Sequence, residues 1–184
     1  PLSIFFITKG GDYIVSFLYA ILILGNFEVF SVFKRKTSII FLDIILVISL
    51  LSILYLRNDT LSSYVLLIWI IVLTVLSDIG GFVFGKIFKW KKLTKISPNK
   101  TISGSVGSFL FSLFPIVIVS IYDSVQIFEY IILFCLFISL ACQLGDLIVS
   151  YFKRLSKVKN TGNLIPGHGG LLDRVDGIIF AIPI

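Results

Sequence analysis

The sequence predicts an all-α fold: a polytopic membrane helix bundle with about six transmembrane helices. Three observations carry this expectation. Mean hydropathy is +1.05, and only 14% of the 184 residues are charged, a composition suited to a bilayer rather than to water. The apolar residues fall in long runs without strand or amphipathic periodicity, as surfaces that meet lipid on all sides require. Basic residues collect after every second run and nowhere else in quantity.

Five runs approach the roughly 20 residues needed to cross a hydrocarbon core. They cover about 13–33, 38–56, 64–84, 106–122 and 127–149. A sixth opens near Gly177 and reaches Ile184, which at 1.5 Å per residue is about 12 Å of helix. Residues 1–8 read as the tail of an earlier helix, and the chain opens on Pro1. We therefore expect a fragment, truncated at one or both ends. Cys135 and Cys142 lie seven apart in the fifth run. A disulfide along one helix does not fit that spacing, so both read as small buried apolar residues.

Orientation follows from charge. Lys34, Arg35 and Lys36 follow the first run; Lys86, Lys89, Lys91, Lys92, Lys95 and Lys100 follow the third; Lys153, Arg154, Lys157 and Lys159 follow the fifth. The intervening connections hold Arg57 with Asp59, then Asp123 and Glu129. Basic and non-basic loops alternate, so the basic ones are expected on the cytoplasmic side. The net charge of +6 is then explained by topology and anionic headgroups. No nucleic acid partner is needed.

Ionisable groups within spans are expensive and mark function. Asp78 precedes Gly80 and Gly81 in the third run, and Asp146 follows Gly145 near the inner end of the fifth. Asp173 and Asp176, three apart, share a face if their segment is helical. All four fall toward the same boundary. Each acid alone could simply pair with a nearby Lys or Arg. Asp146, Asp173 and Asp176 together suit a hard divalent cation such as Mg²⁺, which takes carboxylates, waters and substrate phosphates. Zinc does not fit one histidine and no placed thiols. Glu28 and Asp43 are embedded too, and for Glu28 a packing role is as good a reading as a functional one. His168 sits in Pro-Gly-His-Gly-Gly, where glycines let backbone amides approach an anion. Whether it touches phosphate, moves a proton or orients an aspartate stays open at this point.

The run SYFKRLSKVKNTGNLIPGHGGLLDRVDG, 150–177, resembles the signature of the phosphatidate cytidylyltransferases, or CDP-diacylglycerol synthases. Its fixed positions are Ser150, Lys153, Arg154, Pro166, His168, Gly169, Gly170, Asp173, Arg174 and Asp176. So many positions make the likeness specific. The stretches LSDIGGFVFGKIFKWKKLTKISPNKTISGSVG and LGDLIVSYFKR resemble the family's membrane aspartate, its Ile-Ser-Pro-x-Lys-Thr motif and its Gly-Asp-Leu entry. The likeness runs from about Leu76 to the end. We accordingly divide the chain into N-terminal transmembrane helices, 1–75, and a catalytic transmembrane region, 76–184. Ser103, Val149 and Asn160 stand where the family pattern often has acids.

The resemblance implies a reaction: CTP plus phosphatidate gives CDP-diacylglycerol and pyrophosphate, in phospholipid biosynthesis at the inner membrane, with the site facing the cytoplasm. It implies Mg²⁺, with room for a second cation, on Asp146, Asp173 and Asp176. His168, Lys153 and Arg154 join these as catalytic candidates. Ser97, Lys100, Thr101, Arg174, Gly169 and Gly170 are the expected phosphate contacts, arginine's fork favouring bidentate ones. A homodimer agrees with the family, but no residue specifies it. Two rival readings remain, a CTP-dependent polyprenol kinase and a membrane transporter with its acids on a cation path. The transporter predicts an inverted repeat, and none is visible in the runs.

Overall fold

The computed structural model describes residues 2–58, 60–94, 96–117, 128–162 and 169–184. Its regular elements are all helical: α1 Leu2–Lys9, α2 Gly11–Val32, α3 Lys36–Asn58, α4 Leu61–Phe88, α5 Ile102–Ser112, α6 Phe128–Leu155, α7 Leu172–Val175 and α8 Ile178–Ala181. One isolated antiparallel bridge joins Lys92 to Thr101. The chain is an all-α membrane bundle.

Four helices are long and apolar enough to cross a bilayer: α2, α3, α4 and residues 130–155 of α6. The described residues thus hold four such helices, in keeping with the expected polytopic bundle. The fourth sequence run forms a shorter apolar helix, Ile102–Val117. It tightens at Leu113, whose N–H reaches Leu110 O at 3.3 Å, and Ile116 N–H reaches Leu113 O at 3.1 Å. Pro115 explains the break, because it has no N–H to continue the ladder. Residues 118–122 of that run lie outside the described residues. In the sixth run Ile178–Ala181 form the turn α8. Its Ile179, Ala181 and Ile182 are buried in the core.

Local chemistry sets the ends of α4. The Thr60 hydroxyl accepts from Ser63 N–H at 3.2 Å, an N-cap that satisfies one orphan donor. At the other end Lys89 takes a left-handed conformation, φ 47°. Between them lie 28 residues, about 42 Å of helix, enough to span the core and project beyond it. α6 has the same length. It continues past the sequence run to Leu155 because nothing breaks it before Lys157, with φ 59°.

Helices α4 and α5 pack closely through small residues. A Cβ on Gly107 would sit 2.4 Å from Phe84 Cβ and 2.5 Å from Gly80 O, and one on Gly104 would sit 2.8 Å from Gly81 O. Within a bilayer, where apolar burial does not drive helices together, such small-residue contact is a main source of association. Gly107→Val is therefore expected to force the pair apart, at a cost of about 1–3 kcal/mol. A lower melting temperature of the detergent-solubilised protein would register it, and an unchanged one would show that the interface yields freely.

The basic loops gather at one end of the bundle. Arg154, at the end of α6, donates through Nε to Ile96 O in the α4–α5 loop at 3.4 Å. Glu28, one turn before the end of α2, bonds the backbone of Leu171 and Leu172. The candidate site is built at this end.

Candidate functional site

The stem of the site is α6. Asp146, Ser150 and Lys153 stand at i, i+4 and i+7 and so share a face. Asp146 is ion-paired with Lys100, and Ser150 Oγ lies 3.5 Å from its Oδ1. Lys153 is buried and donates to Asp173 Oδ1 at 2.7 Å. Arg154 comes one residue, about 100°, further round the helix. Its guanidinium goes to Ile96 O and, at 3.1 Å, to Val158 O, so it braces two loops instead of entering the cavity.

Lys100 is delivered by a short two-strand clasp. Leu93 N–H donates to Lys100 O at 2.8 Å, Ile102 N–H to Lys91 O at 3.0 Å, and Lys100 N–H to Ser97 O at 3.1 Å. The Thr101 hydroxyl caps α5 by accepting from Gly104 N–H at 3.1 Å and lies 3.0 Å from Ser103 Oγ. Ser97 is committed to the turn, its N–H on Thr94 Oγ1 at 3.2 Å.

Asp173 anchors the opposite wall. Besides Lys153, it accepts at Oδ2 from Thr161 N–H at 2.8 Å and Gly170 N–H at 3.1 Å. Burial alone would push its carboxyl up. The Lys153 ammonium and the two amides outweigh burial and hold it below the usual 3.8. A depressed carboxyl contributes stability that is complete above 3.8 and is lost as the pH falls through the lowered value. The melting-temperature gap between the wild type and Asp173→Asn is thus expected to stay level from neutral pH down to about 5. It should close under stronger acid. A gap that closes near neutrality would assign it to another group.

The acid that sequence reasoning left undecided, Glu28, is fully buried and grips the same loop from behind. Its carboxylate accepts from Leu171 N–H at 2.6 Å, Leu172 N–H at 2.9 Å and Thr161 Oγ1 at 3.1 Å. The glycines fit around it. A Cβ at Gly170 would lie 2.7 Å from Glu28 Oε2 and 2.1 Å from Thr161 Oγ1, and Gly169 has φ +86°, a conformation that favours glycine. His168 lies outside the described residues, as does the rest of 163–168.

Two cavities meet here. The larger, about 460 Å³, is lined by Asp78, Asp146, Lys153, Asn160, Asp173, Arg174 and Asp176. The smaller, about 180 Å³, shares Asp78 and Asp146 with it and adds Lys100, Thr101, Ser105, Ser108 and Gln143, with apolar walls from Phe82 and Leu93. The structure therefore brings Asp146, Asp173, Asp176, Lys153 and Arg174 around one space, and Asp78 with them. Ser97 and Arg154 line neither cavity. Cys142 donates from Sγ to Asp78 Oδ1 at 3.6 Å.

Among the described residues no three acidic, histidine or cysteine side chains converge as a ready cage for a metal. Mg²⁺ does not require one, since it commonly takes one or two carboxylates and completes its shell with waters and substrate phosphates. The donors present fit that mode. Asp176 stands just before the last apolar run, and burial and then the facing Asp146 carboxylate push it up to about 8. Repulsion between two oxygen donors is what a bound cation relieves.

Residues 4–184 match the model of the cytidylyltransferase family. The phosphatidate cytidylyltransferase of Staphylococcus haemolyticus is 41% identical over 130 residues, 70% of this chain and 49% of the relative. That of Bacillus subtilis is 41% identical over 109 residues, 58% of this chain and 40% of the relative. The Staphylococcus aureus enzyme of the same name is 42% identical over 123 residues, 66% of this chain and 46% of the relative. The chain spans about half the length of the relatives it matches.

Proposed function

This chain belongs to the cytidylyltransferase family, and from that premise we propose that it transfers a cytidylyl group from CTP to phosphatidate. The products are CDP-diacylglycerol and pyrophosphate. A phosphate oxygen of the lipid bonds to the α-phosphorus of CTP, and the bond from that phosphorus to the β-phosphate's bridging oxygen breaks. Pyrophosphate leaves with the electron pair. Two polyanions must meet, so the task is charge neutralisation and in-line placement more than proton transfer.

The observation that carries the reading is the larger cavity, where acids from α4, α6 and the α7 turn face Lys153 and Arg174. Lys153 and Arg174 offer cationic donors for phosphate, with Lys100 alongside on Asp146. Asp146 and Asp176 would hold Mg²⁺, bordered by Asp78 and Asp173. When bound, the ion neutralises phosphate oxygens and stabilises the departing pyrophosphate. Asp173 keeps Lys153 aimed and pins the Thr161 and Gly170 amides, so the walls are set before substrate arrives. The basic loops that share this end support a cytoplasmic-facing site at the inner membrane, where soluble CTP can meet a lipid headgroup.

The test uses membranes containing the protein, phosphatidate, Mg²⁺ and CTP labelled at one phosphorus. Label from the α-position is expected in lipid. Label reaching lipid only from the γ-position would make the protein a lipid kinase instead, and movement of a solute with no lipid product would make it a carrier.

A further inference from the structure

Beside Asp78, Lys100, Thr101 and Asp146, the smaller cavity is lined by groups that phosphate chemistry does not use. It lies between α4, α5 and α6 and is bounded by neutral polar groups from Ser105, Ser108 and Gln143, with apolar walls from Phe82 and Leu93. Behind it runs a hydrogen-bonded chain inside the membrane helices. The Ser105 hydroxyl donates to Gln143 Oε1. Gln143 Nε2 donates to Ser139 Oγ at 3.3 Å, and Ser139 Oγ lies 2.8 Å from Ser77 Oγ. Polar groups at that depth are costly unless each is satisfied.

A carboxamide has two acceptor positions and two N–H donors. The chain uses one of each on Gln143, whose amide has one acceptor and one donor position beyond them. At about 180 Å³ this space is below the roughly 300–1,000 Å³ of pockets that enclose a whole small molecule. It suits one ring, not an entire nucleotide. Because Asp78 and Asp146 line both cavities, a ligand with phosphates in the larger can place its ring in the smaller.

We infer that this cavity is the base subsite, taking the cytosine ring of the nucleotide with Gln143 reading its edge. The inference rests on the nucleotide-transfer reading above. The 4-amino group of cytosine donates to Gln143 Oε1, and ring N3 accepts from Nε2. Phe82 and Leu93 cover the apolar faces of the ring. Uracil presents an acceptor and a donor in the reverse order, so it does not match the amide orientation that accepts from Ser105 and donates to Ser139. A phosphatidate headgroup carries phosphate and ester oxygens but no such donor–acceptor edge, so the lipid is not the occupant this lining favours.

Two measurements on the full membrane-embedded chain test this. The first is α-label transfer to phosphatidate by Gln143→Leu, with CTP or UTP as donor. The KM for CTP is expected to rise about tenfold, the scale of one or two lost neutral hydrogen bonds, and the preference for CTP over UTP to fall. The KM for phosphatidate should stay level. Unchanged KM for CTP and unchanged base preference would overturn the assignment. The second does not depend on catalysis or on the Gln143 variant folding. Ser108→Cys is labelled with a thiol reagent in the presence of CTP, pyrophosphate or phosphatidate vesicles. Protection by CTP alone supports a base subsite; equal protection by pyrophosphate or phosphatidate refutes it. If CTP protects while the wild type moves no α-label, the subsite stands and the transfer reading falls.

Discussion

Asp173→Asn is expected to lower α-label transfer from CTP to phosphatidate by about 10³-fold, with the protein still inserting in the membrane. The carboxylate has three jobs at once. It pairs with Lys153 at 2.7 Å, and it holds the amides of Thr161 and Gly170. Asparagine keeps the shape but removes the charge. Lys153, itself buried, then stands without its partner, which for buried pairs costs about 3–5 kcal/mol. The aim of a phosphate-facing cation is lost with it, and preorganised electrostatic contacts of this kind are each worth about 10²–10³ in rate. Asp12→Asn, exposed at the first turn of α2, is the matched control. Activity within tenfold of the control would remove Asp173 from the reaction.

Glu28→Ala is expected to cost stability and activity together. The substitution strands three donors, Leu171 N–H, Leu172 N–H and Thr161 Oγ1, the last two of them buried. At about 1–3 kcal/mol for each buried group left unsatisfied, the loss is of the order of 3 kcal/mol or more. The consequence reaches the site because the loop Glu28 grips carries Asp173 two residues beyond Leu171. Glu28→Gln retains one acceptor and should recover part of both properties. Melting temperature, protease sensitivity around residues 169–171 and α-label transfer follow the series. If Ala and Gln behave like the wild type in all three, the anchor is idle.

The sequence was informative wherever the bilayer punishes error. Basic clusters after 33, 84 and 149 predicted which loops share an end, and the contacts of Arg154 and Glu28 bring those loops together. Asp146 and Asp176 were legible because an acid beside an apolar run needs a reason. The number of crossings was less legible. Pro115 shows where the fourth run tightens, a break that hydropathy alone does not place. Glu28 was the harder case. Its partners lie 133 to 144 positions further on, so no local pattern announces them. The three departures from the family pattern also separate only in space. Val149 is buried in the apolar core, and Ser103 Oγ lies by Thr101 and accepts, at 3.4 Å, from Trp90 N–H. Asn160 alone of the three lines the larger cavity.

The unbroken length of α6 has one more consequence. Asp146 and Lys153 are seven residues apart on a single rod, so their heights differ by about 10 Å and cannot drift relative to each other. A tilt or a vertical shift of that rod carries both along. The headgroup plane follows the bilayer instead. If the chain takes the lipid substrate proposed above from the inner leaflet, a thicker hydrocarbon layer would lift the lipid phosphate toward Lys153 and away from Asp146, making turnover depend on acyl-chain length even if no pocket measures the chains.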